Sequence, residues 1–371
     1  MKYYIITLLC AFMLIFSACG ENDTSNDIDN DNAGMTGLSL KMTDSATEDY
    51  NAVWVTISEI EVQKDGEDSK TVYPEGVSFP ITVDLLSLQN GISTSLGLFD
   101  LEPGHYTQIR LHLGSEIGEI KGNETVQSEY PPQYANCVYE NDSCYELTIP
   151  SGYQTGIKLN RTFDIQEDIL YELMLDFDAR KSVHQTGSGS YKMRPTIRII
   201  KVDLTGIIAG KSEPGAIITA QFQNQDACGT LSIAQTTTAD ETGNYQLSFL
   251  EPKTYTIVAV KDGFQPAIRT NIGVNAGDTN EQDLLLTSGN PFSSISGQVS
   301  NLPDEDQAPQ VKAITSINDT NVILDHSPLS SEGSYTLHIP PGDYTFYFCA
   351  ENEEPVLVTV GPEDSTVDAS F

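Results

Sequence analysis

The chain has 371 residues, with 53 acidic side chains against 19 basic ones and a formal net charge of −34. A field of that sign argues against nucleic acid and anionic lipid as partners, since both are polyanions. Hydrophobic residues make up 39% and aromatic ones 8% of the chain, enough for real cores, so this is no disordered acidic polymer, and the length has room for two or three domains.

The N-terminus begins with a positive charge at Lys2, continues as an uncharged apolar run from Tyr3 to Phe16, and closes on Ser17-Ala18-Cys19. That layout predicts a secretory signal peptide over residues 1–18. A cysteine directly after the small pair resembles the lipobox of bacterial lipoproteins, with Phe16 where Leu is commoner. The resemblance implies that the Cys19 sulfur is diacylated, the chain is cut before it, and the new N-terminus is acylated. The alternative is an ordinary signal peptide with an incidental cysteine. The apolar run falls short of the ~20 residues that cross a hydrocarbon core, whereas acyl chains contribute roughly 0.8 kcal/mol per buried CH₂. Gly20 follows the cysteine in place of the Asp that resembles an inner-membrane retention signal. In a cell with two membranes the outer one is therefore favoured, with a periplasmic or surface-exposed body.

Residues 19–34 follow as the lipidated cysteine and an acidic tether, rich in Asn, Asp, Ser and Thr, with Ile28 its one large apolar side chain. Such a segment buries nothing and lifts the folded part off the membrane. Asp27, Asp29 and Asp31 begin like an EF-hand loop, but Asn32 stands at the sixth position and Leu38 at the twelfth, so that motif fails.

From Leu38 onward apolar residues recur with period two, as in Ile109, Leu111 and Leu113, in Leu173, Leu175 and Phe177, and in Tyr344, Phe346 and Phe348. Alternation of this kind predicts half-buried antiparallel strands, and no stretch sustains a helical period beyond one turn at Leu85–Leu88. In Val53–Val62 the apolar phase switches near Ser58-Glu59, as a β-bulge would make it do. The fold class is all-β, built from tandem antiparallel β-sandwich (immunoglobulin- or prealbumin-like) modules. The domains expected are residues 35–204, 205–288 and 292–371.

Cys137 and Cys144 flank an Asn-Asp turn, and in an oxidising compartment that spacing suggests a local hairpin disulfide. Cys228 and Cys349 either bridge the later modules or remain separate buried thiols.

The last two modules share a layout: Gly-Asn-Tyr245-Gln-Leu or Gly-Ser-Tyr335-Thr-Leu, then Glu-Pro-Lys-Thr-Tyr255-Thr or Pro-Pro-Gly-Asp-Tyr344-Thr. The Pro-Gly turn brings the following Tyr into the core, where its hydroxyl can cap nearby backbone. This pattern resembles the carboxypeptidase-regulatory-like modules, small prealbumin-like sandwiches related to starch-binding domains and used as spacers or adhesive stalks. In residues 35–204 the carrying residues include Gly37–Asp44, Val53–Ile57, Val83–Leu88, Leu101–Leu111, Ile149–Lys158, Leu175–Ser182 and Met193–Arg198. They resemble the bacterial lipoprotein family of the domain of unknown function 4382. The resemblance implies a periplasmic or surface β-sandwich and no activity.

Candidate sites are few. Asp176 and Asp178, two apart on a strand, are expected on one face, either solvated or salt-bridged, with Arg180 and Lys181 near, or holding a cation such as Ca²⁺. Asp44 and Asp84 join them only if the fold brings them close. Trp54, Tyr134 and Tyr139 are candidate aromatic platforms for a sugar ring, with core packing as the alternative reading. His105, His112, His184, His326 and His338 are scattered without ligand spacing, and His112 and His338 fall on the polar phase of strands. No catalytic motif appears, no catalytic residue or required cofactor is assigned, and a hydrolase would need two acids about 5–9.5 Å apart in a cleft. The function read from these features is a non-catalytic, membrane-anchored envelope lipoprotein with a binding, adhesion or structural role. Its partners are the membrane through the lipid and possible polysaccharide or envelope proteins, and a carbohydrate-binding surface lipoprotein is the alternative.

Overall fold

A computed structural model of the chain describes residues 35–47, 49–115, 129–149, 155–186, 188–226, 229–303, 309–350 and 353–371. Cys19 and the tether lie outside them. Among the described residues no helix is long and apolar enough to cross a membrane.

The first sandwich packs a four-stranded sheet, in the order Ile197–Lys201, Leu170–Phe177, Gly37–Asp44, Thr94–Asp100, on a larger sheet centred on Ala52–Lys64 and Gly104–Leu113. Their inner faces close over Leu40, Val53, Ile60, Phe99, Ile109 and Leu175, all at most 1% exposed. The phase switch in Ala52–Lys64 is a register shift between Ile57 and Glu59. The extra residue keeps Val55, Ile57, Ile60 and Val62 on the core side although their spacing is no longer even. Asp84 caps the one turn of 3-10 helix at Leu85–Leu88 by accepting from the Leu86 N–H.

Not every pairing is antiparallel as expected. Gly37–Asp44 runs parallel to Leu170–Phe177, Gly206–Lys211 to Thr279–Glu281, and Ser293–Ser300 to Ala369–Ser370. In the first of these pairs the strands are buried on both faces over most of their length, the usual setting of parallel strands.

The second and third sandwiches repeat one plan, three strands facing four. The second has Asn244–Leu250, Gly206–Lys211, Thr279–Glu281 against Gly229–Thr238, Ile217–Asp226, Thr254–Val260, Ala267–Gly273. In the third, Ser334–Ile339, Ser293–Ser300, Ala369–Ser370 face Thr320–Pro328, Gln310–Ile317, Tyr344–Cys349, Val356–Val360. The tyrosine after each tight turn reaches back four residues to a backbone carbonyl: Tyr106 to Glu102 at 3.0 Å, Tyr255 to Glu251 at 2.9 Å, Tyr344 to Pro340 at 2.7 Å. The device recurs in all three sandwiches, including the second, where Lys253 replaces the turn glycine.

The later modules do not run out from the first as a stalk, because residues 34–371 form one compact unit. The first sandwich meets the second through Ser45 Oγ donating to Gln235 Oε1 at 2.8 Å and Ala46 N to Thr236 O at 3.1 Å. The tip Asn90-Gly91, both at positive φ, lies against the second sandwich too. Asn90 Oδ1 accepts from Thr238 N, and a Cβ on Gly91 would meet Ser248 Oγ at 2.5 Å, so glycine is required there on two counts. Between the second and third, the Gln221 amide donates to Ile323 O at 2.7 Å and accepts from Ile323 N at 2.9 Å, beside an apolar patch of Leu231, Ile314 and Ile323. Val258, Val260 and Ile268 of the second sandwich belong to the hydrophobic core of the third.

Candidate functional site

A cleft of about 1150 Å³ opens where the three sandwiches meet. Its polar wall starts from the end of strand Leu170–Phe177. There Asp178 caps the single helical turn Ala179–Ser182 by accepting from Lys181 N at 3.0 Å, and the turn aims Arg180 away from its own sandwich. The guanidinium meets Asp49 at 2.9 Å and Asp325 of the third sandwich at 2.7 Å. Asp325 is tied in turn to the His326 and His338 backbone N–H groups, each at 2.8 Å. Burial opposes the charge on Arg180, but the two carboxylates outweigh it and hold its pKa above the ordinary value. Tyr50 and Glu140 also line the cleft, and Glu140 accepts from the Tyr191 hydroxyl. Burial, reinforced by Asp49, pushes the Tyr50 phenol up.

Three histidines, His184 of the first sandwich and His326 and His338 of the third, line the same cleft. Burial, with Arg180 second, pushes His326 well below its ordinary range. His184 falls from 6.5 to about 4, through burial and then Arg194. A depressed histidine binds fewer protons folded than unfolded, so the stability it permits above pH 6.5 is lost as pH falls toward 4. At about 1.4 kcal/mol per pKa unit, discounted because the ring is only half-buried, acidification from pH 7 to 4.5 should cost the wild type about 1–3 kcal/mol more than His184→Asn. Urea denaturation at the two pH values measures this, and an unchanged gap between the proteins contradicts it.

The sequence candidates fare differently. Strand Leu170–Phe177 ends before Asp178, so Asp176 and Asp178 do not share a strand face. Asp176 is 3% exposed and bound by Arg198, its cross-strand partner; burial still pushes its carboxyl up. Asp178 is engaged by Lys181 at 2.7 Å. Each acid thus has its own cation, the salt-bridged alternative, although Asp176 Oδ1 is buried without a hydrogen-bond partner. The fold does bring Asp44 near them. Its Oδ1 accepts from Ala179 N at 3.0 Å, and burial pushes it up, with Asp178, Asp176 and Asp84 adding to the effect. Burial likewise raises Asp84 to about 6 against hydrogen bonds from the Val53 and Leu86 N–H groups.

Trp54 is 1% exposed, with its indole N–H donating to Tyr130 O at 2.8 Å, and Tyr139 is 4% exposed. Neither presents a ring to solvent, because both fill a small cluster with Ala52 and Cys137 on the outer side of Ala52–Lys64. Tyr134, at 43%, is exposed. Cys137 and Cys144 form a disulfide across the hairpin. Cys228 lies outside the described residues, and Cys349 is buried and disulfide-bonded.

Among the described residues one set of three, Glu59, Glu61 and His112, brings its ligand atoms within 4.8 Å of one another. His112 was expected to be exposed, but it is half-buried against Glu61 because the bulge turns Glu59 and Glu61 onto its face. Arg110 at 3.2 Å and His112 at 3.3 Å lie beside Glu61, and the Thr71 hydroxyl donates to Glu59.

The cleft escaped sequence reading. Arg180 was visible only as a counter-ion for its neighbours, and Asp49, Asp325 and His326 carry no local motif because they converge from different modules.

Comparison with known proteins places residues 35–195 in a match to the family model described as a domain of unknown function (DUF4382), and residues 204–287 in a match to the carboxypeptidase regulatory-like domain. No curated protein matches the chain. Similar solved structures include the Bacillus anthracis TIE protein, 12% identical over 91% of this chain and 50% of that one with a TM-score of 0.18, so the chain spans half that protein's length. A Streptococcal ancillary pilin is 8% identical over 90% and 98% of the two chains, TM-score 0.19. A putative carbohydrate binding protein from Bacteroides uniformis is 14% identical over 42% and 98%, TM-score 0.18.

Proposed function

We propose, for a chain that joins a domain of unknown function (DUF4382) to a carboxypeptidase regulatory-like domain, a non-catalytic binding role in the cell envelope. The protein is held at the outer membrane by lipid on Cys19 and receives its ligand in the cleft around Arg180. The observation that carries the binding role is the cleft itself. Three sandwiches enclose it, and the Arg180–Asp325 contact across its wall gives it a fixed shape before any ligand arrives, which lowers the cost of binding. Both oxygens of Asp325 are engaged, one by Arg180 and the His326 N–H and the other by the His338 N–H, a positioning role that favours binding over hydrolysis. Lipid at Cys19 is supported by the small pair and apolar run before it.

Labelling with radioactive palmitate tests the anchor. Label is expected in the wild type, absent from Cys19→Ser, and the variant should leave the membrane fraction. Label retained in C19S, or none in the wild type, counts against the anchor and leaves the cleft untouched.

A further inference from the structure

His326 presents a polar ring to the cleft. It is 6% exposed, lines the cleft, and neither ring nitrogen hydrogen-bonds another described residue. Its cross-strand partner Lys312 reaches across to Leu231 O of the second sandwich at 3.1 Å, which places His326 on the strand face turned toward the junction. Its ring nitrogens face the cleft and are hydrated from it, so what fills the cleft displaces that water and has to supply the hydrogen bonds in its place. A neutral imidazole offers one donor and one acceptor, the same pair that a hydroxyl group offers in return.

The charges around it point the same way. On the lining Asp49, Glu140, Asp262 and Asp325 outnumber Arg180 and Lys261, which repels a polyanion. Arg180 holds Asp325 and Asp49, the Tyr191 hydroxyl donates to Glu140 and the Phe292 N–H to Asp262. An anion entering the cleft meets that excess of carboxylates, and a cation finds them already engaged, so an uncharged ligand suffers least. Phe292 and Tyr50, half-buried on the lining, supply rings on which an apolar face can lie. At about 1150 Å³ the cleft exceeds the roughly 300–1,000 Å³ of sites that hold a single small molecule, and it suits a length of chain better than one ring.

We infer that the cleft binds an uncharged, hydroxyl-rich polymer, a segment of neutral polysaccharide, with His326 and Arg180 reading its hydroxyls and Phe292 and Tyr50 covering its apolar face. This rests on the cleft being the binding site, as proposed above. It moves sugar recognition from Trp54 and Tyr139, which are buried, to residues of three different modules.

The test is isothermal titration of the purified full-length protein with neutral glycans (dextran, starch, xylan and mannan) and with two charged polymers, alginate and polylysine. At least one neutral glycan is expected to bind, at least tenfold more weakly to His326→Phe, while His326→Gln, which keeps a donor and an acceptor, stays within about threefold of wild type. Phe292→Ala, at a half-buried position, provides a second variant in case H326F does not fold, with a loss of at least threefold. Binding of a charged polymer alone, with the same dependence on His326, overturns the ligand class and leaves the cleft reading standing. Glycan binding that none of these variants weakens overturns the cleft as the sugar site. Silence across the whole panel overturns both.

Discussion

Arg180→Met is expected to destabilise the protein by about 3 kcal/mol, the lower end of what removing one partner of a buried ion pair costs. The side chain is 19% exposed and bridges Asp49, which is 43% exposed, to Asp325, which is 9% exposed. Methionine keeps most of the arginine's length and apolar stem, so the loss reports the uncompensated carboxylates rather than a cavity. Asp325 bears most of it, since water can still reach Asp49. The double variant Arg180→Met/Asp325→Asn should therefore recover part of the loss. Because Arg180 belongs to the first sandwich and Asp325 to the third, the damage should also appear as a weakened junction, with faster proteolysis of the segments around it. Urea denaturation reads the stability; a change below about 0.5 kcal/mol, the scale of an ordinary surface substitution, would mean that the contact does not hold the modules together.

Trp54→Ala has a comparable or larger expected effect, a loss of about 3–5 kcal/mol. The indole is 1% exposed among Ala52, Cys137 and Tyr139, and its N–H satisfies the Tyr130 carbonyl at 2.8 Å. The substitution leaves a cavity and removes the indole N–H from that carbonyl. Trp54→Phe keeps much of the volume and should lose about 1–2 kcal/mol, the hydrogen bond and part of the packing. Neither variant should alter the affinity of the folded fraction for any glycan. A loss of glycan binding in Trp54→Phe with the melting temperature unchanged would return Trp54 to the role of a sugar platform.

Much of the fold was legible. Period-two alternation marked the strands, the phase switch at Ser58-Glu59 marked the bulge, and the Tyr255 and Tyr344 motifs marked a repeated sandwich. These are local signals, carried by neighbours in sequence. The parallel pairing of Gly37–Asp44 with Leu170–Phe177 is a contact between residues more than a hundred positions apart, and alternation has no sign that separates parallel from antiparallel partners. The site was less legible for the same reason. Spacing placed Asp176 and Asp178 on one face, but the strand stops at Phe177 and each acid acquires a base, Arg198 or Lys181. Trp54 lies on the more polar side of its strand by pattern, yet the Cys137–Glu140 strand and Tyr130 cover that side. Arg180 and His326 become a pair of cleft residues only through packing between modules, which leaves no periodicity behind.

With the cleft at their junction, the three sandwiches are expected to unfold as one body. Scanning calorimetry of the full-length protein tests it most directly. One cooperative transition, with calorimetric and van't Hoff enthalpies in agreement, is the expected result for modules joined by Gln221, Lys312, Asn90 and Arg180. Two or three resolved transitions, unaffected by Arg180→Met, would contradict it.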